Sequence, residues 1–156
     1  MIQINFPGQN SLKLSSLICD INGTLAVDGQ LIEGVQAAVE ALKPVLDIYL
    51  LSADTHGTAA ALAKTLGVKL QCLEAGNEAR QKENYLLALG AETTAAIGQG
   101  ANDALMLKKA ALGICVLSQE GTAMAALSAA DLVVPDILTA FELLQNPMRI
   151  VATLRQ

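Results

Sequence analysis

Along most of the chain, apolar runs of strand length alternate with longer segments whose apolar positions recur at helical period. Residues 3–6 and 12–15 flank a Pro-Gly-Gln-Asn turn, the pattern of a short N-terminal hairpin. The run Ser-Leu-Ile-Cys-Asp-Ile at 16–21 reads as a buried strand ending in a polar loop, 22–30. Val35, Val39 and Leu42, with Ala38 between them, make one helical face that Pro44 ends. Further strands are predicted at 47–51, 69–73, 93–97, 114–117 and 132–134. Between them the spacing predicts helices at 58–66, 78–89, 102–111, 122–129 and 136–144. Gly67, Gly90 and Gly113 are placed to stop three of these, and one or two more helical turns are expected after Pro147.

Strand–helix alternation at this spacing means crossover connections, and therefore an α/β, doubly wound and mainly parallel sheet with helices on both faces. A length of 156 residues fits one domain, 1–156. No repeat, low-complexity tract or linker divides it. In such sheets ligands bind beyond the carboxyl ends of the strands, where the strand order reverses, so the polar residues that follow strands carry the functional question.

Composition narrows the classes. With 53% hydrophobic and 16% charged residues the chain is not a disordered acidic segment. A net charge of −5 argues against nucleic acid or an anionic membrane surface as partner. Alanine and leucine account for much of the hydrophobicity, yet polar residues interrupt every stretch short of a membrane span. The first ten residues have neither a basic region nor an apolar core, so no signal peptide is expected and the cytoplasm is the expected location. Cys19, Cys72 and Cys115 each lie in a strand-like apolar run without CxxC spacing, and are expected to be buried free thiols.

Four strand ends carry distinctive polar residues. The first is Asp20-Ile21-Asn22-Gly23-Thr24-Leu25, and the second is Ser52-Ala53-Asp54-Thr55-His56-Gly57. Lys82 lies in the helix after the third strand, and Gly98-Gln99-Gly100-Ala101-Asn102-Asp103 follows the fourth. A carboxylate nucleophile, a hydroxyl, an ammonium and glycine-flanked amides together suit phosphoryl chemistry. Each has a plainer reading alone. Asn22-Gly23 is a turn dipeptide, Ser52 a helix cap, Asp103 a favourable first-turn acid, Lys82 a solvated helix residue, and His56 a loop or cap residue. A dinucleotide loop fails, because GxGxxG from Gly98 requires glycine where Asp103 stands.

Taken in order, these motifs resemble the haloacid dehalogenase-like superfamily, and within it the phosphorylation domain of P-type ATPases in its stand-alone, soluble form. The resemblance runs from about residue 17 to 117. DINGTL matches the family's first motif and puts the nucleophile at Asp20; Ser52-Ala53-Asp54 matches the second; Lys82 matches the third; GQGANDALML matches the fourth. It implies an aspartyl-phosphate on Asp20 and catalytic roles for Asp20, Asn22, Ser52 and Lys82. It further implies phosphate binding by Gly23, Ser52, Ala53 and Lys82, and Mg²⁺ held by Asp20, Asn22, Asp103 and Gln99.

Two departures bear on turnover. The family's phosphatases place an aspartate where this chain has Asn22, and an amide can neither protonate a leaving group nor activate water. Gln99 replaces an aspartate that usually ligates magnesium, so a weakened metal site is expected. Only 32 positions separate Asp20 from Ser52, and 30 separate Ser52 from Lys82, leaving no room for the cap domain of many relatives. The expected substrate is a phosphorylated small molecule or a phosphoprotein reaching an open site, or one covered by a second copy in a homo-oligomer. The competing expectations are a non-catalytic phosphate-binding or regulatory module, and a protein-interaction domain on the same scaffold.

Overall fold

A computed structural model describes residues 1–53 and 57–155. The central sheet has six strands, all parallel: β3 (Ser16–Asp20), β6 (Asp47–Ser52), β7 (Lys69–Cys72), β8 (Thr94–Gly98), β9 (Leu112–Val116) and β10 (Leu132–Val134). Their spatial order is β10-β9-β8-β3-β6-β7. From β3 the chain winds outward through β6 and β7, then returns to β8 on the other side and winds outward again. The expected doubly wound sheet is present, and its order reverses between β3 and β8. The predicted N-terminal hairpin is present too, as β1 (Ile2–Ile4) against β2 (Leu12–Leu14).

Period-two alternation divides the core. Leu17, Cys19, Ile97 and Ile114 face one side of the sheet. They pack with α1 (Val35–Leu42), α2 (Thr58–Leu66), α6 (Ile137–Gln145) and α7 (Pro147–Leu154). Ile18, Leu51, Ala96 and Cys115 face the other, against α3 (Glu78–Leu89), α4 (Ala104–Lys109) and α5 (Met124–Ala129). Strands buried on both faces read as continuous apolar runs, which is why β3 and β9 are buried at every position.

Three expectations are corrected. Residues 22–30 are not all loop: β4 (Ala26–Val27) and β5 (Gln30–Leu31) pair antiparallel across Asp28-Gly29, both at positive φ. Asp-Gly is among the favoured two-residue hairpin turns, so the signal was present. The helix predicted at 102–111 is split into a 3₁₀ turn, Ala101–Asp103, and α4, which ends at Lys109. Gly113 is therefore no helix stop but lies inside β9, because the backbone of α4 crosses it closely. A Cβ there would stand 2.3 Å from the Leu107 carbonyl oxygen. Gly113→Ala should thus overpack a backbone contact that cannot rotate away, lowering stability by ~1–3 kcal/mol in urea unfolding. Lastly, Cys72 is exposed, unlike the buried Cys19 and Cys115, because β7 is the edge strand and Cys72 its final residue.

Candidate active site

The reversal point gathers the strand-end residues. Asp20 is the last residue of β3 and pairs in register with Leu51, so Ser52, one step further along β6, stands beside it. On the other side β8 ends at Gly98, and the 3₁₀ turn folds Asp103 back over that glycine. A Cβ on Gly98 would lie 2.5 Å from the Asp103 Cγ, so only glycine admits this carboxylate. Backbone amides of Gln99 and Gly100 donate to Asp103 Oδ2 at 3.0 and 2.9 Å.

Lys82 completes the arrangement from α3. Its Nζ donates to Asp20 Oδ1 and to Asp103 Oδ1, both at 2.6 Å. The lysine is 1% exposed, Asp103 0% and Asp20 8%. A solvated helix lysine, the plainer sequence reading, is excluded by that burial. Burying three charges is tolerable because each carries good hydrogen bonds, including one from Thr24 Oγ1 to Asp20 Oδ2 at 3.3 Å.

The charges tune one another. Burial, and next the Asp103 carboxylate, push the Asp20 carboxyl from 3.8 up to about 7, although Lys82 pulls the other way. Burial alone would lower Lys82, but the charges of Asp20 and Asp103 and the bonds to both outweigh it and raise its pKa. Burial, with Asp20 adjacent, pushes the Cys19 thiol far up, so it stays a protonated core residue.

Asp20, Asn22, Ser52, Ala53, Lys82 and Gln99 all line one cavity of about 400 Å³. Asp103 lies behind Lys82, and Gly23 lines a second, smaller pocket with Thr24 and Ser118. Asp54 and His56 lie outside the described residues. Gly23 has φ +77°, and a Cβ on it would stand 2.0 Å from Gln99 Nε2. The Gln99 amide thus reaches across Gly23 and donates to the Asn22 carbonyl at 3.1 Å.

Two lining residues were not singled out from the sequence, Glu78 and Glu120, and Asn102 was named only within the fourth motif. Asn102 donates to Glu78 Oε2 at 2.8 Å. Glu78 stands one helical turn before Lys82, a spacing that could have identified it. Glu120 follows β9, and the strand-end rule could have pointed to it.

The donor set suits a hard divalent cation. The cavity presents oxygens from the Asp20 and Glu120 carboxylates, the Asn22 carbonyl and the Gln99 amide, with Lys82 as its cation among the described residues. No three acidic, imidazole or thiol side chains form a cage among those residues. Mg²⁺ does not require one, since it is often held by one or two carboxylates plus water and substrate phosphate.

Comparison with known proteins addresses the family and the fold. The sequence model of the family described as "Hydrolase: haloacid dehalogenase-like hydrolase" matches residues 5–111. The chain is 33% identical over 136 residues to the probable copper-transporting ATPase PacS of Synechocystis, covering 83% of this chain and 18% of that one. It is 50% identical over 60 residues to the uncharacterized protein MJ0073 of Methanocaldococcus jannaschii, covering 38% of this chain and 64% of that one. The chain thus spans less than two thirds of these relatives' lengths. Among solved structures, the 3-deoxy-D-manno-octulosonate 8-phosphate phosphatase of Moraxella catarrhalis, in complex with magnesium, phosphate and the sugar acid, shares the fold. Its TM-score is 0.67 at 19% identity, over 91% of this chain and 94% of that one. A zinc-transporting PIB-type ATPase in its E2.Pi state aligns with TM-score 0.65 at 26% identity, over 79% of this chain and 20% of that one. No helix among the described residues is long and apolar enough to cross a membrane.

Proposed function

The chain belongs to the haloacid dehalogenase-like hydrolase family, and on that footing we propose that it moves a phosphoryl group through an aspartyl-phosphate on Asp20. The observation that carries this reading is the buried Asp20–Lys82–Asp103 arrangement opening onto a polar cavity at the reversal of strand order. An Asp20 carboxylate oxygen attacks phosphorus, the P–O bond to the leaving group breaks, and an acyl phosphate forms. Ser52 and Lys82 hold the phosphoryl oxygens, with Ala53 contributing its backbone. Asp103, which accepts from two amides and the lysine, acts by fixing Lys82.

Burial and the Asp103 carboxylate disfavour the charged form of Asp20, holding its pKa at about 7. A bound magnesium ion would supply positive charge that keeps Asp20 ionised and offsets the phosphate's own charge; Asp20 and the Asn22 carbonyl would hold it. Asn22 cannot transfer a proton, which supports slow turnover or a long-lived phosphoenzyme. Among the described residues, the links from β3 to β6 and from β6 to β8 hold only short elements of this same layered fold. That supports a phosphorylated small molecule or a phosphoprotein as substrate.

The second reading, a phosphate-binding regulatory module, is favoured by one observation: the Gln99 amide already occupies the Asn22 carbonyl. Incubation with a low-molecular-weight acyl phosphate and Mg²⁺, followed by peptide mass mapping, separates the two. An acid-stable, hydroxylamine-labile adduct on Asp20 is expected. Phosphate binding without any adduct would favour the module. Asn22→Asp should then speed turnover by about 10²-fold or more for poor leaving groups, and much less for activated esters, measured as steady-state kcat across an ester series.

A further inference from the structure

We propose that Glu120, on the loop after β9, is the second acidic group of the cation site, supplying the charge that Gln99 lacks. This rests on the phosphoryl-transfer reading above. Glu120 lines the same cavity as Asp20, Asn22 and Gln99. One point fixes its position: where a Cβ of Gly23 would lie, Gln99 Nε2 is 2.0 Å away and Glu120 Oε2 3.2 Å away. The neutral amide and the carboxylate therefore stand side by side, next to the carbonyl of Asn22.

The side chain is aimed as well as near. Asp28 N, at the tip of the β4–β5 hairpin, donates to Glu120 Oε1 at 2.8 Å, which leaves Oε2 as the oxygen by Gly23 and Gln99. At its own backbone, Glu120 N donates to Ser118 Oγ at 3.1 Å. Charge gives the second argument. Lys82 is shared between Asp20 and Asp103, and among the described residues no lysine or arginine pairs with Glu120. Two carboxylates lining one cavity would repel a phosphorylated substrate there unless a divalent cation offset their charge. Acidic charge has in effect moved from the loop after β8 to the loop after β9, a strand further along the same sheet edge.

The hairpin bond suggests a purely structural role, and the choice of variant separates the two. Glu120→Gln keeps an acceptor for Asp28 N and removes only the charge; Glu120→Ala removes both. Mn²⁺ serves as probe, its free concentration read by electron paramagnetic resonance, with a melting curve recorded for each variant. Glu120→Gln should weaken Mn²⁺ binding by about 10–100-fold, the range for loss of a group that supports a metal site. Gln99→Asp in that background should restore it, and Glu33→Gln, on an exposed residue away from the cavity, should change nothing. If Glu120→Gln binds as wild type does, the proposal is wrong; if only Glu120→Ala weakens binding, Glu120 is merely a latch for the hairpin. Asp20→Asn keeps the two readings apart. Should it weaken Mn²⁺ binding while Glu120→Gln does not, the role of Glu120 falls and the phosphoryl-transfer reading stands. Should neither variant weaken it, or should wild type bind no Mn²⁺ at millimolar concentration, both fall.

Discussion

Lys82→Ala is expected to lower the stability of the folded chain by ~3–5 kcal/mol, the usual cost of removing one partner from a buried ionic arrangement. The substitution leaves Asp103, 0% exposed in the intact protein, with a carboxylate oxygen that has lost its partner, and leaves Asp20 facing it without the intervening ammonium. Lys82→Met refills the volume and should recover little, since the lost term is charge rather than packing. Urea unfolding should report the change as a lower midpoint with unchanged slope. Mild acid should partly rescue both variants, because protonating one carboxyl removes the repulsion. A midpoint within experimental error of wild type would mean the lysine is not buried between these acids.

Asp20→Asn has the second large effect, on chemistry rather than on folding. An amide is not a competent nucleophile, so phosphoryl transfer should fall to the uncatalysed background and the Asp20 adduct should vanish. The metal-free protein should at the same time become less sensitive to pH. Asp20 has its carboxyl raised from 3.8 to about 7, so the folded state binds the proton more tightly than the unfolded chain. Its contribution to stability is fully present below about pH 4 and is lost as the pH rises through about 7. Melting curves of metal-free wild type should show that loss across the window; Asp20→Asn should not.

Much of this site was legible in the sequence because strands buried on both faces leave their polar residues at the ends, and the ends converge. Asp20, Ser52 and Asp103 needed only that rule. Lys82 was legible by position but not by burial: α3 is a polar helix, and only the placement of β3 and β8 beneath it makes an inward lysine affordable. Glu120 was legible only as an acid after a strand, since its place in the site depends on Gly23 and Gln99, which are remote in the chain. Gly113 was read as punctuation when its reason was a helix backbone lying against it. Cys72 was misread because an apolar run does not reveal which strand lies at the edge of the sheet.

The strand order also sets a timetable for the newborn chain. β3 is translated first of the six parallel strands yet lies in the middle of the finished sheet, with later-made neighbours on both sides. Its second neighbour, β8, ends at Gly98, so about 80 residues must be added after Asp20 before that side can close. At ribosomal speeds of about 5–20 residues per second this leaves one edge open for roughly 4–16 s. During that interval the strand that carries Asp20 is an apolar ribbon with unsatisfied amides, open to pairing with whatever other edge it meets. Heavy expression should therefore favour aggregates seeded by β3, and slower synthesis at lower temperature should favour soluble product.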